Sequence, residues 1–161
     1  MPKKIAPNET SEVEKFDIGR YVPYLLNQAT LAILPTFAPV LSKWGLALGG
    51  WRILAVLHKS GALRVRELLH LTGLEPPTLS RTLADLQKRK LIIRSPSAND
   101  ARGVLVETTR EGNRVAEAII PHAIAVQNSA LRDLSTDEIE FLIRLLKRIH
   151  RSMGSTSASP P

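Results

Sequence analysis

The chain has 161 residues, 43% of them hydrophobic and 23% charged, with a formal net charge of +7 and a pI near 10.1. That length suits one domain with a modest core that oligomerisation would help to stabilise, and the basic balance favours polyanionic partners. There is no cysteine, so disulfides, thiolate metal sites and thiol redox chemistry are excluded.

No unbroken apolar run reaches the ~18 residues of a membrane span. Met1 to Glu14 is polar and lacks a secretory apolar stretch. The expectation is a cytoplasmic protein with no membrane partner. Residues 1–16 read as a loose arm, 17–151 as one domain, and the Ser- and Pro-rich residues 152–161 as a disordered tail.

Six helices and one hairpin are expected between the ends. The first runs from about Asp17 to Lys43, with Tyr21, Leu25, Leu26, Ala29 and Ile33 at helical spacing and kinks expected at Pro35 and Pro39. The second covers about Gly50 to Lys59 and the third about Val65 to Thr72, with Gly73 as a turn. The fourth covers about Pro76 to Lys90, with Pro76 at a position where a missing N–H costs little. Leu91–Arg94 and Gly103–Glu107 read as two strands around a turn over Ser95 to Asp100. Thr108-Thr109-Arg110-Glu111 reads as a capping box for a fifth helix reaching about Leu131 and kinked at Pro121. Ser135-Thr136-Asp137-Glu138 reads as the box for a sixth, ending near Ser152.

The order helix, tight turn, helix, strand, loop, strand over Arg64 to Arg110 is that of a helix-turn-helix with a wing. The fold class is therefore mainly α, a winged helix-turn-helix lobe over 49–111 joined to dimerisation helices over 17–48 and 112–151. At 100° per residue Leu79, Leu83 and Leu86 fall on one buried stripe of the fourth helix. The other side presents Pro77, Thr78, Arg81, Ala84, Asp85 and Lys88, with Ser80 and Thr82 on the flanks. Arg81 is the candidate base reader, because its fork matches the O6 and N7 of guanine. Thr78 and Ser80 suit phosphates or base edges, and Lys88 a phosphate. Thr78 to Arg102 holds six basic residues against two acidic ones, over half of the chain's excess charge, and Arg64 and Arg66 extend the patch. The expected partner is double-stranded DNA.

The wing carries a more specific pattern. Asp100-Ala101-Arg102 followed by Thr109 and Gly112 resembles the MarR-family wing signature, Asp-x-Arg, an alternating strand, then Leu-Thr-x-x-Gly. The resemblance extends through Trp51-Arg52-Ile53-Leu54, Leu68, Gly73-Leu74, Ser80-Arg81, Leu86 and the basic run before Leu91, covering about Gly45 to Glu117. It implies a homodimer with two winged lobes. It also implies that Arg102 enters the minor groove, where negative potential attracts guanidinium, and that Asp100 steadies the wing by pairing with Arg102 or Arg94. It further implies a small aromatic or phenolic acid bound between the dimer helices and the lobe. Tyr24, Trp51 and His58 are candidate ligand contacts, alongside Phe37 and His122; Trp51 also reads as plain core. The chain departs from the family pattern at Ala101, Thr108, Arg64, Lys90 and Glu75. Lys90 stands where a glycine would adopt a left-handed cap easily, and Arg64 where Ser or Thr would cap the third helix.

Helix six carries Ile139, Leu142, Leu145, Leu146 and Ile149, more than a narrow stripe, and so needs two partners. No metal site is expected, because His58, His70, His122 and His150 are far apart in sequence. No catalytic residue and no cofactor are expected, because the sequence lacks G-x-S-x-G, P-loop and H-E-x-x-H motifs. The reading is a ligand-responsive transcriptional regulator, a repressor on a pseudo-palindromic operator; a non-sequence-specific architectural DNA binder is the alternative.

Overall fold

The first helix begins later than its apolar pattern suggests. In the computed structural model, which describes residues 13, 15–97 and 100–156, the Asp17 carboxylate accepts from the Gly19 N–H at 2.8 Å and opens a 3₁₀ turn, Ile18–Arg20. The side chains of residues 97, 100–102 and 154–156 lie outside this description, so those of Asp100 and Arg102 do too, as does most of the arm expected over 1–16. Helix α1 then spans Val22–Lys43, with Pro35 and Pro39 inside it. Leu31, whose carbonyl loses its donor to Pro35, is exposed, so solvent can serve that carbonyl. By length and composition α1 could cross a bilayer. A search for an unbroken apolar run misses this because Asn27, Gln28 and Thr30 interrupt the pattern.

Helix α2 is Leu48–Ser60, α3 is Val65–Thr72, and α4 is Pro76–Lys88. Gly73 takes the left-handed conformation (φ 62°) that turns α3 toward α4. Lys90, just past α4, also has a positive φ of 58°. It is a non-glycine residue in the position where the sequence pattern asks for glycine.

A three-stranded antiparallel sheet replaces the single hairpin expected. Strand β1 is Leu63–Arg64, β2 is Ile92–Ser97 and β3 is Asp100–Thr108, in the order β1-β3-β2. Two residues are too few to show an alternating pattern, so β1 leaves no sequence signal. Pro96 is tolerated because β2 is an edge strand. Val106 pairs with Leu63 on one side and Arg94 on the other.

Helix α5 is Arg110–Ala130 and passes through Pro121 unbroken. Its cap is Thr109, one residue later than the expected box, and Glu111 pairs with Arg114 at 2.6 Å instead of closing a box with Thr108. Helix α6 is Thr136–Thr156, so the expected tail is helical for its first five residues. Its capping box forms as expected, with Ser135 N–H donating to Glu138 at 2.8 Å and Glu138 N–H to Ser135 Oγ at 3.3 Å. The core is centred on the lobe, where Ile53, Leu54, Leu57, Leu68, Leu79, Leu83, Leu86, Ile92 and Val106 are fully buried, and Phe37 and Leu41 of α1 and Val115 and Ile119 of α5 close it.

Candidate nucleic-acid interface

Leu79, Leu83 and Leu86 anchor α4 by their buried stripe and so fix which face looks outward. Pro77, Thr78, Arg81, Ala84, Asp85 and Lys88 are exposed on that outer side, as the helical spacing predicts, and Ser80, expected on the flank, is exposed as well. Thr82 is different. It is half-buried, its hydroxyl donates to the Thr78 carbonyl at 2.8 Å, and its side chain lies near Gly49 and Gly50 of α2. A Cβ at either glycine would meet Thr82 at ordinary van der Waals distance, 3.7 Å from Gly49 and 3.8 Å from Gly50, and at Gly50 it would also press on Leu46, just before α2, at 3.2 Å. Thr82 therefore belongs to the α2–α4 contact rather than to the outward face.

The basic count also divides on inspection. Arg81, Lys88 and Lys90 are exposed. Arg89 turns away: its Nη1 donates to the Gly45 carbonyl at 2.8 Å and its Nη2 to the Trp44 carbonyl at 2.6 Å. Arg94 is half-buried, with Nε and Nη2 buried and without a hydrogen-bond partner among the described residues. That edge of its guanidinium is not presented to a duplex. The sequence could not separate these arginines, since charge counts carry no direction.

At the start of α3, the missing Ser or Thr cap is replaced from the other side. Glu67 accepts from the Arg64 N–H and from its guanidinium, both at 2.8 Å. The Arg64 hydrogen bonds hold the Glu67 carboxyl below its ordinary pKa. Arg64 is thus tied to Glu67 at the helix start, while Arg66 is exposed.

The wing is joined to α4 and α5 by a tight clasp. Thr109 N–H donates to the Leu91 carbonyl at 3.0 Å, Thr109 Oγ1 donates to the Lys90 carbonyl at 2.8 Å, and the same hydroxyl caps Gly112 N–H. A Cβ at Gly112 would run into the Leu91 carbonyl oxygen. The Thr-x-x-Gly spacing thus lets α5 begin against the end of α4. The backbone of Asp100 to Arg102 belongs to β3, and the proposed contacts of Asp100 and Arg102 fall on side chains outside the described residues.

Of the candidate ligand contacts, the structure brings Phe37 and Trp51 together. Trp51 is half-buried and meets Phe37 edge-on, centroids 5.7 Å apart. His58 Nδ1 lies 2.9 Å from Asn113 Oδ1, which also accepts from the Thr108 hydroxyl. Tyr24 is exposed on α1 and accepts from Gln28 at 2.6 Å. An apolar groove of about 530 Å³ opens between α1, α5 and α6, lined by Leu26, Ile33, Phe37, Val126, Ile143 and Leu146 among others. His70 and His150, distant in sequence, meet at 5.6 Å between ring centroids. Among the described residues no cluster of three or more His, Asp or Glu is placed to hold a metal ion.

Around the groove the helices keep large apolar side chains in solvent. Tyr21, Leu25, Leu26 and Leu31 of the α1 region are exposed, as are Phe141, Leu145, Leu146, Ile149 and Met153 of α6. A patch of this kind marks an interaction surface.

A family model described as MarR family matches residues 44–103. The transcriptional regulator FarR of Neisseria gonorrhoeae is 32% identical over 94 residues, which are 58% of this chain and 64% of FarR. The chain is thus matched to just under two thirds of that relative's length. A probable transcriptional regulator from Pseudomonas aeruginosa superposes with a TM-score of 0.72 at 30% identity, over 83% of this chain and 99% of its own. The structure of NadR in complex with 4-hydroxyphenylacetate superposes with a TM-score of 0.76 at 25% identity, covering 93% of this chain and 98% of NadR.

Proposed function

The chain belongs to the MarR family of winged helix-turn-helix regulators, and from that premise we propose that it is a transcriptional repressor that binds a pseudo-palindromic operator as a homodimer and is released by a small phenolic acid. The observation that carries this reading is the outward face of α4. Helix α3, Gly73 and α4 form a helix-turn-helix held by buried leucines, and α4 presents Thr78, Ser80, Arg81 and Lys88 together. Arg81 reads guanine, and Thr78, Ser80 and Lys88 fix the register through backbone or base-edge contacts. Arg102 at the wing enters the minor groove.

The exposed apolar faces of α1 and α6 favour a second copy as the other half of the helical region. Two α4 helices about one DNA turn apart then read the two half-sites. The complex with 4-hydroxyphenylacetate formed by NadR favours a ligand of the same class here. A ligand that fits only a lobe spacing unsuited to the operator needs about 1.4 kcal/mol of differential affinity to change occupancy tenfold. Repression follows by occlusion of the promoter, with no chemical step, and the protein acts in the cytoplasm where the DNA is.

The test is binding of the full chain to its own upstream DNA and to random DNA across a salt series. Tight, saturable binding to the upstream fragment with random DNA far weaker is the expected result. Equal affinity for both, collapsing with salt, would establish the architectural alternative.

A further inference from the structure

The loop between α1 and α2 is held from two sides. On one side Arg89, the C-cap residue of α4, donates to the Trp44 and Gly45 carbonyls at 2.6 and 2.8 Å. On the other, the Arg114 guanidinium of α5 lies over the Trp44 ring, 6.0 Å from its centroid. Trp44 is the C-cap of α1, so its carbonyl is one of those a helix end leaves without an internal donor and with partial negative charge. Arg89 itself stands at the C-terminal end of α4, so its side chain spans from the end of one helix to the end of the other. Gly45 at φ +59° turns the chain there, and its carbonyl reaches the same guanidinium. Asp85, one turn earlier on α4, is 3.7 Å from Nη1 and exposed. The side chain of Arg89 is about one third exposed.

This arrangement joins the helix that carries the exposed apolar face directly to the helix that carries Arg81. A planar fork with donors on two nitrogens fixes an angle as well as a distance, which a single contact does not. We propose that Arg89 is a positioning residue that sets the tilt of α4 against α1, and thereby the spacing of half-sites that the dimer accepts. The proposal rests on the regulator reading above. It removes Arg89 from the DNA-contacting charges and gives it control of spacing specificity.

The experiment uses the full-length protein, its footprinted upstream fragment, versions of that fragment with one base pair inserted or deleted between the half-sites, and random DNA. Wild type should lose affinity sharply on the altered spacings. Arg89→Met should bind the native spacing about tenfold more weakly and discriminate less among the three spacings, with random DNA binding and the salt slope unchanged. Arg89→Lys, which keeps the charge and one hydrogen bond, should fall between the two and covers the case in which Arg89→Met fails to fold. A loss of affinity shared equally by all DNA, with the salt slope lowered by about one phosphate contact, would make Arg89 a phosphate ligand and overturn the proposal. Unchanged spacing discrimination in Arg89→Lys and Arg89→Met would overturn it as well. A wild-type protein with no preference for the upstream fragment would overturn the regulator reading itself, a failure distinct from the other two.

Discussion

The winged lobe and the α1–α6 end of the molecule are built from similar helices but solve the burial problem differently. In the lobe, α2, α3 and α4 each turn one stripe inward, and Ile53, Leu54, Leu57, Leu68, Leu79, Leu83 and Leu86 lose all contact with solvent within one chain. At the other end, α1 and α6 leave Leu25, Leu31, Phe141, Leu145 and Ile149 between 37% and 57% exposed. Burying one such side chain is worth roughly 1.5–3 kcal/mol, so several left open represent a large unused stabilisation. The lobe's core is closed within the same chain, by Phe37 and Leu41 of α1 and Val115 and Ile119 of α5. On the proposed function, a second copy completes the helical end.

The largest expected effect breaks the lobe. Gly112→Ala places a Cβ against the Leu91 carbonyl oxygen, where no flexible side chain can give way. It should cost roughly 3 kcal/mol or more, read as a fall in the midpoint of denaturant unfolding, and the fall should not depend on protein concentration. The opposite end should respond differently. Leu145→Glu with Leu146→Glu puts two charges on the exposed apolar face of α6. Sedimentation should show a shift from dimer to monomer, with the lobe still folded by circular dichroism. A concentration-independent loss of all structure would show that α6 completes the monomer's own core instead.

Two smaller changes sharpen the contrast inside the lobe. Arg81→Ala removes an exposed side chain from α4 without touching the leucine stripe. It should lower the ratio of operator to random affinity by about 1–3 kcal/mol and leave stability unchanged. Equal weakening on both DNAs would make Arg81 a phosphate contact. Lys90→Gly should raise stability by about 1 kcal/mol, because Lys90 holds a left-handed conformation that costs glycine nothing. Thermal unfolding checks it.

The lobe was largely legible in the sequence because its signals are local and periodic. The Leu79, Leu83, Leu86 spacing gave the buried stripe of α4 and Gly73 gave the turn, whereas the helix expected to reach about Lys90 ends at Lys88 and Lys90 is left-handed. What escaped is what depends on direction or distance. The two-residue β1 has no period to detect. Arg89 and Arg94 look like DNA-facing charges in sequence, yet one ties α4 to the α1 corner and the other turns buried donors inward. The Gly49–Gly50 approach to Thr82 depends on two helices packing together. Thr109 displaced Thr108 as the cap because its hydroxyl also reaches the Lys90 carbonyl, 19 residues back in the chain.

The smallest effect concerns the cap that the sequence made look deficient. Glu67 accepts from the Arg64 N–H and guanidinium, and these bonds lower its pKa. A carboxylate whose folded pKa is depressed contributes stability that is fully present above the ordinary glutamate range and is lost as pH falls through the folded value. Glu138 is lowered by its bonds to Ser135, and Glu111 by its bond to Arg114, so the caps of α3 and α6 and the first turn of α5 weaken together in acid. Glu67→Gln should remove only the α3 share. Thermal unfolding from pH 7 down to about pH 3 should show the variant starting slightly lower than wild type and converging with it in acid. Parallel curves with a constant gap would mean that the Arg64–Glu67 bonds stabilise by packing and shape, without the charge.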